Sequence, residues 1–277
     1  MTVDLRIQPC DAAIDRVERA LGVRLDRKTA VVKRRSVGAR TERDTWVRLE
    51  MRPLSKLTGQ GSGVAGTACL PVTVARPRWY QGVSWHAPEQ CLLWRADELE
   101  LVTASPIKPG GVLRTDPLLA DAWWSTLGPS RGALATHTTT RVATPHTIPI
   151  SQNRVTATIE RVFAGHVETT VTEWAVAHAD VAWANLTSPE CWLLDWEDWG
   201  LAPRGWDAAP LWGNSLTVPD LADRVQREYQ TDLDSWSGLL SQLFFCAETI
   251  AAGADYAGPL AEPSRWEAAR LISLLQS

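Results

Sequence analysis

The chain has 277 residues, 45% of them apolar and 22% charged. That composition suits one large globular domain or two lobes, and it excludes disordered, collagen-like and small disulfide-stapled classes. The formal net charge is −4, but residues 1–110 carry 18 Lys/Arg against 12 Asp/Glu and residues 111–277 carry 10 against 20, so +6 is followed by −10. Opposite signs suggest two parts with different electrostatic tasks. A negative total with no basic–aromatic motif speaks against nucleic acid.

The start, MTVDLRIQPCDAAID, has acids at Asp4 and Asp11 and no apolar core of a secretory signal. No apolar run reaches the about 18 residues of a membrane-spanning helix. The five cysteines, Cys10, Cys69, Cys91, Cys191 and Cys246, are scattered and include no C-x-x-C pair. Free thiols in a reducing cytoplasm are therefore expected, not a disulfide framework or a zinc site.

In chain order, residues 11–21 have helical spacing of Ile14, Val17 and Leu21 behind a capping Asp11. Residues 29–37 and 45–52 are Val-rich and read as a hairpin whose loop contains Gly38. Residues 59–66 read as a loop opening a short helix. Residues 76–85 and 91–99 are two further strands, dense in Trp and large apolar residues. SPIKPGG, residues 105–111, is the Pro/Gly break between lobes. Beyond it, residues 117–127, 151–163, 219–229, 233–251 and 263–275 read as helices, with strand-loop passages at 174–186 and 191–200. The outline is α+β: a small β-rich N-lobe over 1–104, a hinge over 105–111, and a larger, mainly helical C-lobe over 112–277.

The chemistry concentrates in residues 173–209. His178-x-Asp180 is followed by Asn185, and ten residues later the apolar run Cys191-Trp192-Leu193-Leu194 delivers Asp195. This order fits phosphoryl transfer: a loop carboxylate meets the attacking hydroxyl, an Asn nearby binds a metal, and a second Asp binds the metals that bridge the nucleotide phosphates. Mg²⁺ takes few protein oxygens and keeps phosphate and water, so one Asp and one Asn amide suffice.

His178-Ala179-Asp180 through Asn185 resembles the catalytic loop of the aminoglycoside phosphotransferase and choline kinase-like family, which has a protein-kinase-like fold and usually shows H-G-D here. Leu194-Asp195-Trp196-Glu197 resembles its metal-binding I-D-[WF]-[ED] segment, and Gly200, Pro203, Asp207 and Ala209 match its G-x-x-P-x-x-x-D-x-A tail. The resemblance implies a bilobal fold, Asp180 as catalytic base, Asn185 and Asp195 as Mg²⁺ ligands, Asp207 as an acid supporting the catalytic loop, and His178 as a packed histidine shaping it. Glu197 and Asp198 are divided between metal or substrate contact and solvent.

The chain departs from the family in two places. Ala179 replaces Gly, which is mild only where φ is negative. The family also expects a third-strand Lys paired with a helix Glu. Here Arg48 takes the third-strand slot, with Lys33 as competitor, and residues 54–70 contain no acid. Gly61 to Gly66 spell G-x-G-x-x-G, but without a preceding strand and following acid they read as a connector. His86, His137, His146 and His166 lack metal-ligand spacing and read as incidental. Seven of the 15 Trp fall within residues 174–212, either as core or, for Trp183 and Trp199, as walls of an acceptor pocket.

The sequence thus predicts a cytoplasmic Mg²⁺-dependent enzyme moving the γ-phosphoryl group of ATP, or another nucleoside triphosphate, to a hydroxyl of a small molecule such as an aminoglycoside-like natural product. The alternatives are a kinase for Ser/Thr of a natural-product peptide and a catalytically degenerate kinase-like binding module.

Overall fold

The computed structural model describes residues 4–57, 59–110, 112–253 and 257–277. Gly111, the last residue of the expected hinge, lies outside the described residues. The chain divides into two compact units, Met1–Cys69 with Arg76–Thr103, and Leu70–Ala75 with Ala104–Ser277.

In the first unit, α1 (Asp11–Leu21) turns Ile14, Val17 and Leu21 inward and ends at Gly22, whose φ of 64° supplies the left-handed cap. Cys10, not Asp11, occupies the cap position. The strands β1 (Val31–Val32), β2 (Ser36–Arg40), β3 (Thr45–Pro53), β4 (Trp79–Ala87) and β5 (Leu92–Glu100) form one antiparallel sheet in the order β1-β2-β3-β5-β4. Residues 29–37 are thus split by a turn instead of forming one strand. Gly38 lies inside β2, and the β2–β3 turn falls at residues 41–44. A side chain at Gly38 would strike the Trp46 indole, which lies across it.

Alternation along β3 gives the sheet two chemically distinct faces. Val47, Leu49 and Met51 join Val37, Ala39, Trp94, Ala96 and the inner face of α1 in one apolar core. Arg48, Glu50 and Arg52 occupy the other face. There Arg48 lies 3.4 Å from Glu50, Arg52 bonds the same carboxylate, and Arg95 lies 2.5 Å from Asp97. The register sets Arg48 opposite Asp97 and Glu50 opposite Arg95, so opposite charges face each other across the strands. Between β3 and β4 the described residues form α2 (Gly63–Gly66), a single turn capped by Ser62, flanked by 3-10 turns at Leu54–Lys56 and Thr67–Cys69.

The second unit contains the short pair β6 (Ser105–Pro106) and β8 (Thr187–Ser188), and the pair β7 (Trp174–Ala177) and β9 (Gly200–Pro203). Its helices are α3 (Asp121–Ala135), α4 (Gln152–Phe163), α5 (Ala208–Gly213), α6 (Pro219–Glu228), α7 (Gln230–Leu233), α8 (Trp236–Ala251) and α9 (Ala261–Gln276). Helix α8 buries Leu240, Leu243, Phe244 and Cys246 and packs against α4, α5 and α9. The segment 191–195, expected as a strand, forms no regular strand and carries one isolated bridge among the described residues, from Leu193 to Leu186. Residues 70–75 belong to this unit: Ala75 N–H donates to Ser130 Oγ at 2.9 Å, and Leu193 N–H donates to Ala75 O at 2.8 Å. Among the described residues no helix is long and apolar enough to cross a membrane.

Leu49 is 1% exposed at the centre of the first core. Leu49→Ala should destabilise the protein by about 2–5 kcal/mol, read as a lower denaturant midpoint with the slope unchanged.

Candidate active site

The site is built where β7 ends. Its four residues pair with β9, Ala177 opposite Gly200, and the chain then leaves the sheet as His178-Ala179-Asp180. A strand end leaves backbone donors to be satisfied. One buried side chain takes two of them: Asp207 accepts from His178 N–H and from Ala179 N–H, both at 2.8 Å. Asp207 sits at the head of α5 and makes no cap bond of its own there.

His178 is completely buried, its ring edge-on to Trp196 with centroids 4.4 Å apart. Asp180 N–H points at Nδ1, 3.3 Å away, so Nδ1 is the accepting nitrogen and Nε2–H donates to Leu194 O at 2.9 Å. Leu194 N–H in turn donates to Asn185 O at 2.8 Å. Both backbone groups of Leu194 are thereby held, one by His178 and one by Asn185. These two bonds hold the residue before Asp195 against the His178–Asn185 loop.

Asn185 directs its amide nitrogen at Asp180, 2.8 Å from Oδ2 and 2.9 Å from the backbone oxygen. Its amide oxygen is the atom of this side chain that could hold a cation. Burial pushes the Asp180 carboxyl above its ordinary range; His178 opposes this, Asp195 adds to it, and Asn185 and His146 oppose it. Asp180, Asn185 and Asp195 are therefore brought together. The donors are hard oxygens and few, which fits a divalent cation that shares its shell with phosphate and water. Among the described residues no group of three or more His, Cys, Asp or Glu converges on a metal position.

Arg48 and Lys33 belong to the first unit. Arg48 stands on β3 beside Glu50, and Lys33 is exposed in the β1–β2 turn, where its N–H bonds Ser36 O.

Two site residues are left-handed, Ala179 at φ 70° and Asp195 at φ 70°. Alanine at position 179 is consequently a strained replacement for glycine, not the mild one that a negative φ would allow. A third segment supports the site. Gly200 has no side chain to hold residues 141–143 away; a Cβ there would fall 2.5 Å from Val142 C and 2.6 Å from Ala143 N. Thr144 then reaches Asp198, N–H to O at 2.9 Å and Oγ1 to Oδ1 at 3.1 Å. Asp198 thus has a structural partner in Thr144. The sequence pattern did not mark residues 143–150 as part of this site.

The tryptophans are mostly core. Trp183 is 3% exposed, stacks near Trp123 and donates to Ser215 Oγ at 3.1 Å, and Trp199 is 1% exposed. Neither offers a face for an acceptor pocket. Trp192, expected in the core, is half-buried.

No family model matches the chain, and no curated protein matches it by sequence. Solved structures match along nearly its whole length. The aminoglycoside phosphotransferase APH(4)-Ia is 9% identical, with 96% of this chain and 97% of that one covered at a TM-score of 0.58. The chain therefore shares the fold of that structure. Choline kinase LicA from Streptococcus pneumoniae, 12% identical, superposes with 96% and 98% coverage and a TM-score of 0.55. APH(2")-IIia, solved with GDP and kanamycin, is 12% identical, with 85% and 90% coverage and a TM-score of 0.53. Asp180, Asn185 and Asp195 all lie in the passage between β7 and β9.

Asp207→Asn keeps one acceptor oxygen and turns an NH₂ donor toward a buried N–H. It should cost about 1–3 kcal/mol by chemical denaturation, the worth of an unsatisfied buried group.

Proposed function

We propose that the protein is an ATP-dependent phosphotransferase acting on a hydroxyl of a small molecule. The observation that carries this reading is the convergence of Asp180, Asn185 and Asp195 at the end of β7. The fold supports it, and solved structures of APH(4)-Ia in that fold hold ADP or AMP-PNP together with hygromycin B.

In this mechanism the acceptor oxygen bonds to the γ-phosphorus while the bond from that phosphorus to the β,γ-bridging oxygen breaks. ADP leaves with the bridging oxygen, and the acceptor's proton passes to Asp180. The raised affinity of Asp180 for a proton suits it to that task, since a base too acidic takes no proton in the transition state. Asn185 holds the Asp180 carboxylate in one orientation through its amide nitrogen. A Mg²⁺ ion held by Asn185 and Asp195 would supply positive charge against the phosphate oxygens. We assign phosphate pairing to Arg48 in preference to Lys33, because Arg48 is anchored by Glu50 on the sheet face whereas Lys33 is exposed on a turn.

The test is to incubate the protein with Mg-ATP and a panel of aminoglycosides, choline and serine-containing peptides, and to read the gain of one phosphate by mass spectrometry. Asp180→Asn should lower turnover by roughly 10²–10⁴ while nucleotide affinity changes little. Because the ionised form of Asp180 is the active one and its pKa is raised, the acidic limb of the rate profile should lie above the ordinary aspartate range. Undiminished turnover in Asp180→Asn would refute the assignment, and phosphate found on peptides alone would replace the acceptor class.

A further inference from the structure

The carboxylate proposed to hold the metal sits at a strained backbone position. Asp195 is left-handed at φ 70°, which costs a non-glycine residue and persists only where the surroundings hold it. They do so here. Each of the four backbone groups in the two preceding residues is bonded. Leu193 N–H donates to Ala75 O and Leu194 N–H to Asn185 O, both at 2.8 Å. Leu194 O accepts from His178 Nε2 at 2.9 Å, and Leu193 O accepts from Trp196 Nε1–H at 2.7 Å. Three of these bonds tie the segment to other parts of the chain. Of the four, only the Trp196 bond spans Asp195, running from the residue after it to the second residue before it.

In a four-residue turn with a positive φ at its third residue, the backbone N–H of the fourth often closes onto the carbonyl of the first. Among the described residues Trp196 N–H makes no such bond, and the Trp196 side chain makes it instead. Burial places the indole for this: it is 4% exposed and edge-on to His178, with centroids 4.4 Å apart. The two touching rings thus take consecutive carbonyls, Trp196 that of Leu193 and His178 that of Leu194. A phenyl ring would fill much of the same space but has no N–H to donate.

We propose that Trp196 is a positioning residue for Asp195, its indole N–H closing the turn across the left-handed residue and so holding that carboxylate in place for a divalent cation. This rests on the phosphotransfer reading and adds to it a determinant of metal affinity that is not itself a ligand. Groups that orient a ligand in this way commonly govern metal affinity by about 10–100-fold.

The experiment compares wild type, Trp196→Phe and Trp123→Phe. Trp123 is a matched control: it is also 4% exposed, and its Nε1–H also donates to a backbone oxygen at 2.7 Å, that of Thr187. Mn²⁺ is titrated into each protein with saturating AMP-PNP, the protein-bound ion is read by its enhancement of water proton relaxation, and Tm and AMP-PNP affinity are recorded without metal. Both variants should lower Tm by about 2–8 °C, since each takes a donor from a buried carbonyl. Trp196→Phe should weaken Mn²⁺ binding about tenfold or more, with metal-free AMP-PNP affinity within about twofold of wild type, whereas Trp123→Phe should hold Mn²⁺ within about twofold. Where Trp196→Phe does not fold, benzothienylalanine in place of Trp196 keeps the shape of the ring without the N–H and gives the same comparison. Wild-type Mn²⁺ affinity in a folded variant lacking this N–H would overturn the inference and leave the phosphotransfer reading intact. Equal weakening in the Trp196 and Trp123 variants would assign Trp196 a purely structural role and also overturn it. Wild type that binds no Mn²⁺ with AMP-PNP would remove the reading, and the inference with it.

Discussion

One buried carboxylate organises the site. Asp207 takes the two backbone donors that the end of β7 would otherwise leave unsatisfied, at His178 and Ala179. Leaving two such groups unpaired in the interior costs several kcal/mol, so the chain can leave the sheet at this point only because the carboxylate is there. It stands at the head of α5, 28 residues or more away in sequence, and joins the helical part of the second unit to the small β7–β9 sheet. From this clamp follow the position of His178, the grip of His178 on Leu194, and the placing of Asp195.

The proposed catalytic residues are positioned through their neighbours. Asp195 is set by the bonds of Leu194, and Asp180 by the Asn185 amide and the backbone around His178. Backbone strain and unfavourable charge gather at the same spot. Ala179, Asp195, His146 and Thr147 are all left-handed, and Asp195 raises the proton affinity of an already buried Asp180. Both are destabilising on their own. The surrounding hydrogen bonds and the Trp-rich core, with Trp123, Trp183, Trp196 and Trp199 nearly inaccessible, hold the arrangement against them.

Much of this was legible in the sequence because it is written locally. The 3.6-residue spacing of Ile14, Val17 and Leu21 gave α1, and the Val-rich run 45–52 gave β3. The order His178, Asp180, Asn185, Asp195 pointed to one chemistry since those residue types lie on two short neighbouring segments. What escaped was set by tertiary context. Gly38 looked like a turn glycine but serves to let Trp46 lie across β2. The run 191–195 has strand composition yet finds almost no strand partner. Trp183 and Trp199 stand next to the active residues in sequence while their rings turn into the core.

The most direct measurement of the central claim is a crystal structure of the protein with Mg²⁺ and a non-hydrolysable ATP analogue. The account predicts Mg²⁺ on the Asn185 amide oxygen and the Asp195 carboxylate, with the γ-phosphate turned toward Asp180. A nucleotide bound elsewhere, or a metal held without either residue, would contradict it.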